Sequence, residues 1–216
     1  MDPIQELQRL ASPAPKPQSL AWHDGTLWMG SRETKQVYAI DPVAWRVRWQ
    51  VAAPGTPYGI TAVEGELRVL CGETAEDNRI IRRCVPDEGF DGRFGLPCPD
   101  DTGSQLSYDG RRLHVSQWYR QRVLVLNEAG QVERSIEVPH GICGQVFVGP
   151  LLYLATTDDE DTTEYWLTRV DPRPATPVIE DLVRIPFAAR ALAFDGGRFW
   201  TNHREQNQIV SFARPD

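Results

Sequence analysis

Two histidines of this 216-residue chain stand where they could carry out acid–base or metal chemistry. His140 lies in the segment VPHGICGQ and His203 in TNHREQ, each at a turn-like position between apolar runs. Imidazole titrates near neutral pH and binds divalent metals, so we expect His140 and His203 to be catalytic residues or metal ligands if they approach each other. The alternative is that Pro-His-Gly forms only a turn and that His203 is a solvated loop residue.

Arginine and aromatic side chains recur at the same kind of position. Guanidinium groups bind carboxylate or phosphate through two parallel hydrogen bonds, and aromatic faces hold flat or apolar ligand bodies. The pattern predicts a site for a small, anionic molecule. The predicted substrate-binding residues are Arg190, Arg120, Arg32, Arg204, Tyr58, Trp118, Tyr119, Gln105 and Gln145. The alternative is that several arginines lie near one another only because the chain is rich in arginine.

Other chemistry-bearing residues give weaker patterns. The acidic run at residues 158–161 could collect Ca²⁺ through oxygen ligands, but it lacks the spacing and glycine of an EF-hand loop, so a solvated loop is the alternative. No Cys-x-x-Cys pair occurs, which excludes a zinc ribbon, while Cys84 and Cys98 could face each other as thiols. Signatures of serine hydrolases, phosphate-binding loops and zinc proteases are absent. A divalent metal is the one cofactor that these residues suggest.

A repeat of about 40 residues positions these side chains. Short runs of β-branched and aromatic residues alternate with glycine turns, and each repeat reads as an inner strand, a tight turn and further strands. The anchor glycines are Gly25, Gly65, Gly110, Gly149 and Gly196. Such a repeat, with four short strands, is typical of a β-propeller blade, and five blades fit in this chain. The sequence therefore predicts an all-β, single-domain, five-bladed propeller.

The two ends of the chain are predicted to share one blade. The fifth repeat stops after its third strand, whereas residues 4–10, IQELQRL, resemble the outer strands that precede the Pro/Gly links of other blades. We therefore expect the N-terminal strand to close the ring, which removes exposed sheet edges. The predicted blades cover residues 19–51, 58–98, 104–138, 142–185, and 190–213 together with 4–10.

Composition limits the classes of partner. The formal net charge of −7 argues against nucleic acid or an anionic membrane surface as a partner. No run of 18 apolar residues exists to span a membrane. The first 20 residues have neither the basic start nor the apolar centre of a secretory signal, so a cytoplasmic location is the expectation.

The blade motifs DGTLWMGS, DGRRLHVSQ and DGGRFWTNHREQNQIVSF resemble those of two propeller groups. One is the virginiamycin B lyase and gluconolactonase (regucalcin)-like group, and the other is the five-bladed glutaminyl cyclotransferase family. The resemblance implies lyase, lactonase or cyclase chemistry on a small molecule. The cyclotransferases begin a blade with Glu-Gly-Leu, where this chain has Gln-Ser-Leu, Tyr-Gly-Ile and Arg-Ala-Leu; the carboxylate ligands of the gluconolactonase metal correspond here to Gln105 and Gln145.

Two functional hypotheses follow. In the first, the protein is an enzyme that acts on a small, anionic molecule at the mouth of the propeller channel. In the second, it is a non-catalytic propeller that binds a small ligand or a protein partner through its rim, where aromatic residues and arginine favour interfaces.

Overall fold

The computed structural model describes residues 1–73 and 78–215, which form five four-stranded antiparallel sheets arranged as a β-propeller. The five-bladed, all-β architecture predicted from the repeat is confirmed. Within the described residues the one helical segment is a short 3-10 turn, Pro99–Asp101. No helix in this part of the chain is long and apolar enough to cross a membrane.

The strands are numbered in chain order. Blade 1 contains β2 to β5, over Pro17–His23, Thr26–Ser31, Gln36–Asp41 and Arg46–Ala52. Blade 2 contains β6 to β9, over Thr56–Val63, Glu66–Gly72, Arg79–Val85 and Gly89–Pro97. Blade 3 contains β10 to β13, over Leu106–Tyr108, Leu113–Gln117, Arg122–Leu126 and Val132–Glu137. Blade 4 contains β14 to β17, over Gly141–Val148, Leu151–Thr157, Tyr165–Asp171 and Val178–Ile185. Blade 5 contains β18 to β20, over Ala193–Phe194, Arg198–His203 and Gln208–Ala213, and its outermost strand is β1, Glu6–Ala11.

The N-terminal strand closes the ring, as predicted. β1 pairs antiparallel with β20, with Arg9 opposite Val210 and Leu10 opposite Ile209. The residues before β1 also contact blade 4, since the backbone N–H of Ile4 donates to the carbonyl of Arg184 at 2.8 Å. Every strand of blade 5 therefore has its neighbours, and the ring has no open break at this point.

The core lies between blades, in five apolar clusters that each join two neighbouring sheets. Side chains along a strand alternate between the two faces of the sheet. On β15, Tyr153 packs toward blade 5 while Leu152 and Leu154 pack toward blade 3. Each blade thus buries both faces only because it has a neighbour on each side, which is why the repeats fold as one ring.

The segment after Val85 forms the fourth strand of blade 2, although it is rich in glycine, proline and aspartate. β9 pairs along β8 with one shift of register, between Arg82 and Cys84, and Phe90 lies opposite Cys84. The four cysteines are all buried.

Candidate functional site

A cavity of about 270 Å³ opens at the end of the channel where the links between blades and the loops between second and third strands emerge. We call it the upper cavity. All five blades contribute to its wall. The predicted binding residues that line it are Arg32, Tyr58, Gln105, Trp118, Tyr119, Arg190 and Arg204. Lining residues that the sequence analysis did not assign to the site are Gln18, Arg79, Thr102, Gly103, Ser104, Ile142, Cys143 and Glu160.

The upper cavity is strongly cationic. Among the described residues that line it there are four arginines and one carboxylate, that of Glu160. The arginines come from different parts of the ring: the chain between β3 and β4, the start of β8, the link before β18, and the loop after β19. A concave wall with an excess of one charge concentrates ions of the opposite sign, so this geometry favours an anionic ligand.

Arg190 is the most deeply buried of these arginines, with a relative exposure of 6%. One terminal nitrogen lies 3.0 Å from Glu160 Oε1, and the other donates to the Glu160 carbonyl at 3.1 Å. The backbone N–H of Arg190 donates to Asn202 Oδ1 at 2.8 Å, which fixes the main chain at this link. Arg190 Nε has no hydrogen-bond partner among the described residues. An unpaired buried N–H is costly, so this atom is a donor that a bound ligand would satisfy.

Arg204 and Arg32 differ in how firmly they are held. Arg204 donates to Gln18 Oε1 at 2.9 Å and to Glu205 Oε1 at 3.1 Å, so its guanidinium is fixed beside the cavity. Arg32 is exposed, and its guanidinium has no hydrogen-bond or ion-pair partner among the described residues. Arg32 is consequently free to meet a ligand that enters from solvent.

Aromatic rings form another part of the wall. The guanidinium of Arg79 lies over the ring of Tyr58, 3.5 Å from its centroid. Trp118 and Tyr119 contact each other edge to face at 4.8 Å, and Tyr119 is 87% exposed. Rings with one side in the protein and one side in solvent offer flat surfaces to a ligand.

Two glutamines close the channel beneath the upper cavity. Gln105 Nε2 donates to the carbonyl of Arg190 at 2.8 Å, which joins blade 3 to blade 5 across the axis. Gln145 Nε2 donates to the carbonyls of His114 and Gln105, at 2.9 and 3.2 Å. Gln105 lines the upper cavity, whereas Gln145 lines a separate cavity at the opposite end.

Cys143 lines the upper cavity, and its side chain would be a nucleophile as a thiolate, but it is held as a thiol. Its sulfur lies 3.6 Å from a terminal nitrogen of Arg190. Burial raises the pKa of Cys143 to about 11, an effect that outweighs the opposing effect of the Arg190 charge. The thiolate is therefore a minor species at neutral pH.

His140 is turned toward the outer part of its own blade. Its Nδ1 lies 2.7 Å from Asp158 Oδ1, its Nε2 lies 3.3 Å from Asp181 Oδ2, and its ring contacts Trp166 at 4.7 Å. Asp181 belongs to β17, the outermost strand of blade 4. His140 does not line the upper cavity.

His203 lies at the end of β19 in different surroundings. Its ring stacks on Phe187 with centroids 5.4 Å apart and planes 7° from parallel. Arg9 covers the same phenyl ring at 4.8 Å. Burial first, and then the charge of Arg9, lowers the pKa of His203 below its ordinary value. Neither His140 nor His203 is among the described residues that line the upper cavity, and each ring is held by partners of its own.

Arg120 and the acidic run of residues 158–161 are also engaged in ion pairs. Arg120 is 53% exposed and pairs with Asp100 at 3.5 Å. In the acidic run, Asp158 pairs with His140 and Glu160 with Arg190, so the run is divided between two ion pairs. Across the described part of the chain, no group of three or more His, Cys, Asp and Glu side chains is arranged to hold a metal ion.

Comparisons with known proteins identify the fold. No family model matches the chain, and no curated protein matches it, so membership of the lyase, gluconolactonase or cyclotransferase groups is not shown. The PQQ-bound aldose sugar dehydrogenase of Streptomyces coelicolor is 13% identical, with a TM-score of 0.61 over 99% of this chain and 83% of that one. A chain of the mitotic checkpoint complex is 10% identical, with a TM-score of 0.58 over 100% and 94%. The β-propeller domain of Cps50 (Swd1) from Myceliophteria thermophila is 11% identical, with a TM-score of 0.56 over 96% and 86%. The chain is a propeller whose structural neighbours include an enzyme and a component of a protein complex.

Proposed function

We propose that this protein binds a small, anionic molecule in the upper cavity. The observation that carries the proposal is the set of four arginines around a cavity whose described lining has one carboxylate. Guanidinium groups recognise carboxylate and phosphate oxygens through charge-assisted hydrogen bonds. Arg190 Nε and the Arg32 guanidinium supply donors without protein partners, which a ligand would complete.

The shape of the cavity narrows the class of ligand. A volume of about 270 Å³ is near the lower end of the range for small-molecule pockets. The rings of Tyr58, Trp118 and Tyr119 favour a ligand with a flat or apolar body beside its anionic groups. A compact aromatic or unsaturated carboxylate, or a small organic phosphate, combines these features.

Binding has more support in this geometry than a lyase, cyclase or lactonase-like reaction. The two histidines proposed as acid and base lie outside the upper cavity, and burial keeps Cys143 protonated. Glu160 is held in an ion pair with Arg190. The described lining of the upper cavity thus offers a ligand hydrogen-bond donors and aromatic rings, whereas its carboxylate is already paired and is not a free base.

Calorimetric titration tests the proposal. Phthalate, phenyl phosphate and the neutral phthalamide would be titrated at equal ionic strength, with melting temperatures measured in parallel. We expect the anions to bind and to raise the melting temperature, and the neutral amide to do neither. In Arg32→Gln, whose guanidinium has no protein partner to lose, the dissociation constant should rise at least tenfold, about 1.4 kcal/mol.

Arg111→Gln is the matched control. Arg111 is exposed on a blade 3 hairpin outside the upper cavity, so this variant should bind the anions as wild type does. Failure of every anion to bind, or equal affinity in wild type and Arg32→Gln, would contradict the proposal.

A protein partner at the rim is a second candidate. Tyr119 is 87% exposed and Arg120 is 53% exposed, side by side at the edge of the upper cavity. Aromatic residues and arginine are enriched at interface hot spots. Tyr119→Ala distinguishes the two uses: lower affinity for phthalate assigns the ring to the small-molecule site, and unchanged affinity favours a role in protein contact.

A further inference from the structure

A second cavity, of about 150 Å³, lies at the opposite end of the channel and is lined by the inner strands of all five blades. We call it the lower cavity. Equivalent positions on the five inner strands carry Trp22, Ala62, Tyr108, Phe147 and Phe194, each paired with a leucine or phenylalanine near the start of the second strand. Four of these positions are aromatic and half-buried, so a ring of aromatic side chains surrounds the cavity, with a gap at Ala62.

One layer deeper, a single polar side chain interrupts an aliphatic layer. The equivalent positions there are occupied by Leu20, Ile60, Leu106, Gln145 and Leu192. Gln145 is 3% exposed and lines the lower cavity. Its Nε2 donates to two backbone carbonyls, which fixes the orientation of the amide, and its Oε1 has no hydrogen-bond partner among the described residues. An acceptor buried in this way favours a ligand that donates a hydrogen bond.

A second buried polar group lies beside the first. Ser107 is 2% exposed, lines the lower cavity, and its hydroxyl also lacks a partner among the described residues. His114, whose carbonyl accepts from Gln145, is held neutral because burial lowers its pKa. The buried groups around Gln145 Oε1 therefore add no positive charge.

The hairpins at this end of the channel make its surroundings acidic. Asp24, Glu64, Asp109 and Asp195 lie in the first hairpin turns of four blades, within two residues of the ring positions. Among the described residues, the carboxylates of Asp24 and Glu64 have no hydrogen-bond or ion-pair partner. Glu64 and Asp109 act electrostatically on the Tyr108 hydroxyl, whose pKa burial and these two charges raise.

The arginines near these hairpins are largely neutralised. Arg68 pairs with Glu66 at 3.1 Å, and Arg112 pairs with Glu133 at 2.7 Å. Arg198 pairs with Asp195 at 3.0 Å. Among the described residues of the first hairpin turns, Arg111 is the one arginine whose side chain has no hydrogen-bond or ion-pair partner. The lower end thus combines aromatic rings, a buried acceptor and unpaired carboxylates.

We propose that the lower cavity binds a small alkylammonium ion that keeps at least one N–H group. Aromatic rings attract a cation through their quadrupole, and Gln145 Oε1 accepts the N–H hydrogen bond. A cavity of about 150 Å³ is large enough for a molecule of benzene size, which exceeds trimethylammonium. This site is independent of the upper cavity and does not depend on the anionic ligand proposed there.

An NMR titration followed at backbone amides of the inner strands tests the proposal. Three probes of similar size separate its parts: trimethylammonium has charge and N–H, tetramethylammonium has charge alone, and tert-butanol has a donor without charge. We expect saturable shifts with trimethylammonium, at least fivefold weaker binding of tetramethylammonium, and at least tenfold weaker binding of tert-butanol. No saturable shift at 50 mM trimethylammonium, or equal affinity for the three probes, would overturn the proposal.

Variants of residues that line the lower cavity test whether the ligand binds there. Trp22→Leu removes one ring and should weaken trimethylammonium binding at least fivefold, whereas Trp49→Leu, the same change at an edge-to-face pair outside the lower cavity, should not. Ala62→Phe fills the gap in the ring without removing any group and should abolish binding in a folded protein. Unchanged binding in folded Ala62→Phe would overturn the proposal even if Trp22→Leu failed to fold.

Discussion

The two ends of the channel are built from different parts of the repeat. The upper cavity is formed by links and loops, and its arginines come from three kinds of position: Arg32 and Arg204 each follow a second strand, Arg79 begins a third strand, and Arg190 precedes an inner strand. The lower cavity is formed by equivalent positions on the inner strands, so four blades supply the same kind of side chain there. In the first case the ring brings unlike residues together, and in the second it repeats one residue type.

At the lower end of the channel, the positions that depart from the repeat indicate where a ligand would bind. Gln145 replaces an aliphatic residue in one layer, and Ala62 replaces an aromatic residue in another. Neither substitution improves packing, since Gln145 leaves an acceptor unpaired and Ala62 leaves a gap. In a repeat protein, such departures are where a binding site is most readily recognised.

The largest expected effect is on the stability of the protein, through a close backbone contact between blades 4 and 5. A Cβ placed on Gly144 would lie 2.5 Å from the carbonyl carbon of Ala191 and 2.7 Å from the nitrogen of Leu192, both on the adjoining blade 5 segment. Gly144→Ala should lower the free energy of unfolding by about 2–3 kcal/mol, because backbone must shift. Urea denaturation measures the change. Gly92→Ala, where a Cβ meets nothing within 4 Å, is the control; equal stability of the two variants would show that the blades do not need this close approach.

The next prediction tests whether the upper and lower cavities bind their ligands independently. Arg190→Lys keeps the charge but removes the planar fork and the unpaired Nε, so affinity for phthalate should fall at least tenfold. Glu160 is 47% exposed and can be solvated when its partner changes, so the protein should remain folded. Trimethylammonium should bind as in wild type. A loss of binding at both ends would indicate that the channel behaves as one site.

A smaller effect tests the acidic hairpins. Glu64→Gln removes a carboxylate near Tyr108 and should weaken trimethylammonium binding two- to threefold, with a reduced dependence on salt. Glu33→Gln, an exposed position near the upper cavity, is the matched control and should leave this affinity unchanged. If the two variants bind the probe equally, the hairpin charges do not contribute to the lower site.

The smallest effect distinguishes structural acids from those available to a ligand. Asp41 accepts hydrogen bonds from the backbone N–H groups of Ala44 and Val43 and from Arg48, which lower its pKa from 3.8 to about 2. A lowered folded-state pKa gives a contribution to stability that is present above about pH 4 and lost as pH falls through about 2. The melting-temperature difference between wild type and Asp41→Asn should therefore be greatest near pH 5 and shrink toward pH 2. A melting-temperature difference that stays constant between pH 5 and pH 2 would contradict this assignment.

The sequence predicts the fold well because its signals are local. Glycine turns and alternating strands mark the blades, and the missing fourth strand of the last repeat shows where residues 4–10 must pair. Propeller topology then places links and second-to-third loops at one end, which is why residues such as Arg190 and Trp118 could be expected near each other. Comparison of the five inner strands could also have shown Gln145 as the polar member of an aliphatic layer.

Side-chain direction could not be predicted in the same way. His140 turns outward because Asp158, Asp181 and Trp166 receive it, and these residues are brought beside it only by the folded blade. Glu160 enters the upper cavity because Arg190 pairs with it, although the acidic run suggested a calcium loop or a solvated loop. The direction of these side chains depends on contacts between residues that are far apart in the sequence.

Closure by the first strand also affects how the chain reaches its folded state. The side chains of Arg9 and Gln208 meet across 199 residues, whereas the other strand pairs join neighbours in the chain. Because loop-closure entropy grows with the logarithm of length, this contact costs roughly 3–4 kcal/mol more than a four-residue hairpin does. Until it forms, the edge of β20 is open to the first strand of another molecule, so refolding at high concentration should yield strand-exchanged dimers that dilution suppresses.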